Sequence, residues 1–137
     1  MSEKFKIELV TPKGIVLDKE VEEVIAPGIM GEFGVLIGHT PMLTFIKPGI
    51  LSYLENDQFT RFVVGSGFCE VLKNAVTVLV DEAFSRDEID SAEAAQELEA
   101  VQKQLLESDA MTDPEGYKNL DNKLQLIKYK IALAGAS

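Results

Sequence analysis

Histidine and cysteine each occur once in this chain, as His39 and Cys69. A single thiol closes no internal disulfide, so the cysteine usage gives no sign of an oxidising compartment. One His and one Cys do not make a zinc set, and no metal site is expected. Nor do they make a hydrolase. A nucleophile–base pair needs His39 beside a Ser, Cys or Thr with an orienting carboxylate, and the carboxylates here are scattered without paired spacing. Long apolar runs are also missing, and none approaches the ~20 residues of a membrane span. The opening "MSEKFKIELV" enters a strand-like alternation at once, leaving no room for a signal or transit peptide, so a cytosolic chain is the expectation. Positive charge is scarce. The 13 basic groups face 23 acidic ones, and the net charge of −10 repels a phosphate backbone and anionic lipid alike.

What is present divides into two patterns. With 137 residues, 46% of them hydrophobic, the chain suits one globular domain, or a small domain with an appendage. Residues 1–84 read as strands. Phe5, Ile7 and Leu9 alternate with Lys4, Lys6 and Glu8, and "VEEVIA" (21–26) reads as a second strand. "ILSYLE" and "FTRFVV" flank the turn "NDQ", while "GFCEVL" and "AVTVLV" flank "KN". Many short strands between turn signals suggest a small sandwich or barrel. Residues 85–137 are helical in pattern. Ala94, Leu98, Val101 and Leu105 form one stripe, and Tyr117, Leu120, Leu124, Ile127 and Ile131 form another. Asp90 with Glu93 opens the first helix. Thr112 with Glu115 fits a capping box for the second, with Pro114 tolerated in its first turn. Each stripe is one residue-row wide, so the pair must pack on the sandwich or on a partner. From 87 to 115 there are ten acidic groups and one base, Lys103; beyond lie Lys118, Lys123, Lys128 and Lys130 against Asp121 alone. That asymmetry serves either pairing of the two helices or attraction to an acidic partner.

The stretch "PGIMGEFGVLIGHTPML" (27–43) concentrates glycine: Gly28, Gly31, Gly34 and Gly38. Its spacing is not G-x-G-x-x-G, no helical period follows, and no Gly-Lys-Ser/Thr ends it, so a phosphate cradle is not supported. The remaining reading is geometric. Glycines permit positive φ and close backbone approach. They would shape a surface that presents Glu32 and an exposed or half-exposed Phe33. His39, before Pro41, is then a turn residue bonded to nearby backbone. Cys69, in an alternating apolar strand, is inert core.

"TPKG", "APGIMGEFGVLIGHTPMLTFIKPG", "VGSGFCEVLKNAVTVLVDEA", "EID" and a two-helix tail, in that order, resemble the epsilon subunits of F-type ATP synthases over the whole chain. The resemblance implies a β + α fold: an N-terminal flattened β-sandwich of about ten strands (1–84), then a C-terminal antiparallel two-helix hairpin (85–137). It implies a non-catalytic subunit of the rotating central stalk, bound to gamma and to the ring of c subunits, with no cofactor, no nucleic acid and no insertion into the membrane. The isolated chain is expected to be monomeric. The complex would lie at the cytoplasmic face of a bacterial inner membrane. The resemblance assigns Glu32, Phe33 and Gly34 to the ring contact and Gly28, Gly31, Gly38, His39 and Pro41 to its turns. It also implies that the hairpin extends along gamma to block ATP hydrolysis, with Lys118, Lys123, Lys128 and Lys130 set against the beta (and alpha) subunits. Some members bind ATP through I/L-D-x-x-R-A. Here "IDSAEA" keeps Ile89 and Asp90 but places Glu93 where the arginine stands, and a carboxylate repels a polyphosphate that arginine would grip. A free-standing ligand sensor whose hairpin opens on binding is the competing class; the replaced arginine speaks against it.

Overall fold

The computed structural model describes residues 3–135; the extreme ends of the two expected segments, 1–2 and 136–137, lie outside the described residues. Ten strands occur among them: β1 (Phe5–Thr11), β2 (Gly14–Val21), β3 (Glu23–Gly28), β4 (Gly31–Val35), β5 (Met42–Ile46), β6 (Gly49–Glu55), β7 (Gln58–Val64), β8 (Gly67–Val71), β9 (Ala75–Val80) and β10 (Ala83–Ser85). Their pairing runs β10-β7-β6-β3-β5-β8-β9-β1-β2, with β4 on β3. Strand β3 pairs with β6 through Glu23–Ile25 and touches β5 only at Gly28. The sheet therefore folds over at that point into two layers, β10-β7-β6-β3-β4 and β5-β8-β9-β1-β2. All pairings are antiparallel except β1 with β9.

Period-2 alternation supplies the core. Phe5, Ile7 and Leu9 of β1, Val76, Val78 and Val80 of β9, and Leu51, Tyr53, Phe62 and Val64 of β6 and β7 point inward and are buried. Fully burying one such side chain contributes roughly 1.5–3 kcal/mol. Seventeen buried residues form this core, and none of them comes from the helices. The "NDQ" break is a two-residue turn with Asn56 and Asp57 both at positive φ. That is the backbone a tight hairpin requires.

A 3₁₀ turn (Arg86–Glu88) leads to α1 (Ser91–Glu107), and α2 (Pro114–Ala134) returns antiparallel. The Asp90 carboxylate accepts from the amides of Ala92 and Glu93 and starts α1. The cap of α2 differs from the Thr112–Glu115 box. Asp113 is the N-cap, accepting from Gly116 N at 3.0 Å, with Pro114 at the first helical position. Thr112 instead donates its hydroxyl to the Asp109 carbonyl within the preceding turn. The single-row expectation for α2 also needs correction. Besides the row through Ile127, a second row through Leu126 and Leu133 is buried. That row packs on Val63 of β7, with Ile50, Phe84, Ile89 and Tyr129 around it. The hairpin therefore meets the sheet mainly through α2, while α1 packs on α2. None of the described helices is long and apolar enough to cross a membrane.

Candidate functional site

Much of the glycine-rich stretch is strand, so the surface its glycines shape is built on a hairpin. Strands β3 and β4 form a hairpin whose last pair is Gly28–Gly31 and whose tip is Ile29–Met30. Gly31 sits at φ +127, a conformation that L side chains rarely adopt. A Cβ on Gly28 would meet the Gly31 carbonyl oxygen at 2.8 Å and the Phe33 ring at 2.9 Å. The tip itself stands in the open, with Met30 94% exposed. Alternation along β4 splits the next residues. Glu32 and Gly34 are exposed, whereas Phe33 is half-buried with its ring against the sandwich core. Phe33 shapes the hairpin from beneath, and Glu32 is the group presented. The turn at 36–41 is closed by Gly38 N donating to Lys73 O and His39 N to Leu36 O. The His39 Nδ1 lies 2.7 Å from the Thr40 carbonyl oxygen and so donates to it.

Glu32 also has neighbours that the sequence pattern did not reveal. Ile25, Ile50, Ser52, Arg61, Ala132 and Leu133 share with it a groove of about 420 Å³. The presented carboxylate thus stands on the same sheet face as the end of α2.

Among the described residues nothing covers the opposite face of the molecule. Phe45 pairs with Phe68, Phe68 with Leu79, Leu79 with Val10, and Val10 with Ile15. These five outward-facing residues make one apolar row across β5, β8, β9, β1 and β2. Phe45 is 66% and Ile15 64% exposed, and Leu43 adds to the row's end. Sequence reasoning missed this row. The signal was available: "MLTFI" is apolar on both faces of a strand, which a sheet with one wet face does not need. Gly67 allows the close approach behind Phe68, since a Cβ there would run into the Leu79 carbonyl oxygen.

The four lysines of α2 part company. Lys118, Lys123 and Lys128 are exposed. Lys130 turns inward, its side chain only 14% exposed, 4.0 Å from Glu97 Oε1 and 4.1 Å from the Phe84 ring centroid. The "IDSAEA" residues have local duties: Ile89 packs in the cluster around Val63, Asp90 caps α1, and Glu93 is exposed in its first turn. Lys123 and Lys130 share a cleft with Asp81, Glu82 and Glu97. Cys69 is buried, and desolvation, helped by the Glu70 charge, pushes its thiol up to about 12.

Residues 4–86 match the family described as ATP synthase, Delta/Epsilon chain, beta-sandwich domain. The chain is 41% identical over 135 residues to ATP synthase epsilon chain 2 of Syntrophotalea carbinolica, covering 98% of this chain and 96% of that one. It is 41% identical over 140 aligned residues to the ATP synthase epsilon chain of Geobacter metallireducens, covering 100% and 98%. A chain of the Euglena gracilis mitochondrial ATP synthase (OSCP/F1/c-ring) has a similar fold, with TM-score 0.79 at 24% identity over 94% of this chain and 80% of that one.

Proposed function

Since the chain belongs to the ATP synthase delta/epsilon family, we propose that it works as a non-catalytic subunit of a synthase's central stalk, coupling ion-driven rotation to ATP synthesis. The observation that carries this is the apolar row Phe45–Phe68–Leu79–Val10–Ile15. A sheet face of that kind, left uncovered by the chain's own helices, is suited to a permanent partner. We assign it to gamma.

Glu32, raised beside the Ile29–Met30 tip, is the ring contact, with Gly34 keeping its strand bare and Phe33 supporting it from beneath. Gly28, Gly31, Gly38, His39 and Pro41 hold the surrounding turns. No group in this arrangement is a nucleophile with a base, so the subunit transmits torque and performs no step of the chemistry. The hairpin is the regulatory part. It rests on the sandwich through a small cluster, Val63, Leu126 and Leu133, and leaves it to extend toward the head, where it inhibits hydrolysis. In that state Lys118, Lys123 and Lys128, joined by a released Lys130, face the beta and alpha subunits. A surface ion pair contributes ~0–1 kcal/mol, so this contact is salt-sensitive and shared among several lysines. The subunit is peripheral, at the cytoplasmic side of a bacterial inner membrane.

An affinity capture tests the assignment. The chain is tagged, expressed in its native cell and recovered from gently solubilised membranes. Alpha, beta, gamma and c subunits in fixed ratio are the expected result. A chain recovered alone from the soluble fraction overturns the stalk assignment.

A further inference from the structure

We infer that Lys130 is the latch that holds the hairpin on the sandwich, distinct in role from the other three lysines of α2. This rests on the reading above that the hairpin moves.

Three elements converge on one ammonium. Lys130 belongs to α2, Phe84 to β10 and Glu97 to α1. The Nζ sits 4.1 Å from the Phe84 ring centroid and 4.0 Å from Glu97 Oε1. Asp81 and Glu82 line the same cleft, so carboxylates outnumber the two lysines there. The ring under Lys130 is also part of the apolar cluster that docks α2, alongside Val63, Leu126 and Leu133. Undocking therefore breaks the cation–ring contact together with the apolar one.

The chemistry explains why a lysine suits this place better than another leucine. A neutral unbranched side chain of the same length would keep the packing of the stem but lose the attraction to the ring face. An ammonium over a ring is stabilised when docked, yet it is well hydrated once released, so the two states stay close in energy. A partly desolvated cation–π pair shifts an equilibrium by about five- to tenfold.

The test uses the full chain with spin labels at Lys73→Cys and Gln102→Cys, on the exposed β8–β9 turn and the exposed side of α1. Pulsed dipolar distances count docked and undocked molecules. A Leu133→Ala background thins the apolar contact, so that both states are populated. In it, Lys130→Met and Phe84→Leu are each expected to raise the undocked-to-docked ratio about five- to tenfold. Lys130→Arg keeps both partners and stays within about twofold. The double variant Lys130→Met with Phe84→Leu falls well short of the product of the two single effects, because both singles lose the same cation–ring contact. Should Phe84→Leu misfold, Lys130→Met carries the test alone. Leu126→Asp separates the two levels of failure. If it empties the docked state while Lys130→Met changes nothing, the latch is refuted and the movable hairpin stands. If Leu126→Asp leaves every molecule docked, the movable hairpin falls and the latch with it.

Discussion

Glu32 and Phe33 are neighbours in sequence with opposite fates, because a strand sends successive side chains to opposite faces. One carboxylate is presented and one ring props the hairpin from inside. The same alternation isolates Cys69 between the exposed Phe68 and Glu70. Burial pushes its thiol up to about 12, so the thiolate that reacts is scarce at ordinary pH. A thiol reagent such as dithionitrobenzoate should label the native chain very slowly up to pH 9, and at once in denaturant. Rapid stoichiometric labelling at pH 8 would mean that β8 opens readily. Residue-scale electrostatics also bear on nucleotide. Glu93 is exposed in the first turn of α1, and the neighbouring cleft sets Asp81, Glu82 and Glu97 around Lys123 and Lys130. Carboxylates at that density repel a polyphosphate. Calorimetric titration of the isolated chain with ATP should show no micromolar binding; a micromolar isotherm would refute this reading of Glu93.

At the scale of the element, α2 begins on Asp113 rather than on Thr112, which separates two otherwise similar substitutions. Asp113→Ala removes the acceptor for Gly116 N and should cost ~1 kcal/mol of hairpin stability. Thr112→Ala, which loses only a 3.4 Å bond to the Asp109 carbonyl, should cost far less. Thermal melts followed at 222 nm distinguish them, and equal losses would contradict the cap assignment. Pro114 at the first helical position explains how the sequence misled here. Both Thr112 and Asp113 are good cap residues, and only the register of the first turn chooses between them. β1, β8 and β9 were legible from alternation, and β6 and β7 from the tight turn between them. β2, β4, β5 and β10 were not. β4 is broken by glycine, β5 is apolar on both faces, and β10 is three residues long. The candidate site was half legible on those grounds. Glu32 stands out between glycines, whereas the Phe45–Ile15 row exists only once five strands are laid side by side.

At the scale of the whole molecule, two bodies of unequal strength share one chain. The sandwich has its own core of seventeen buried residues, and the hairpin joins it through three, Val63, Leu126 and Leu133. Burial stabilises roughly in proportion to the side chains removed from water, so the junction is far shallower than the core that holds the sandwich. A junction of that depth can be exchanged for contacts elsewhere without unfolding either part. The two outer faces divide the work accordingly. The apolar row lies on the layer that the docked hairpin leaves uncovered, so the gamma contact proposed for it does not depend on where the hairpin lies. Glu32 stands on the covered layer, in a groove that Ala132 and Leu133 help to line. Deleting residues 86–137 should therefore leave the sandwich folded and attached. Respiring membrane vesicles carrying the truncated chain should keep most of their ATP synthesis, while their ATP hydrolysis should change, as the inhibitory role proposed for the hairpin requires. If synthesis fails in vesicles where the truncated chain is still bound to the synthase, the hairpin takes part in transmitting torque. The separation into a coupling body and a regulatory body would then be wrong.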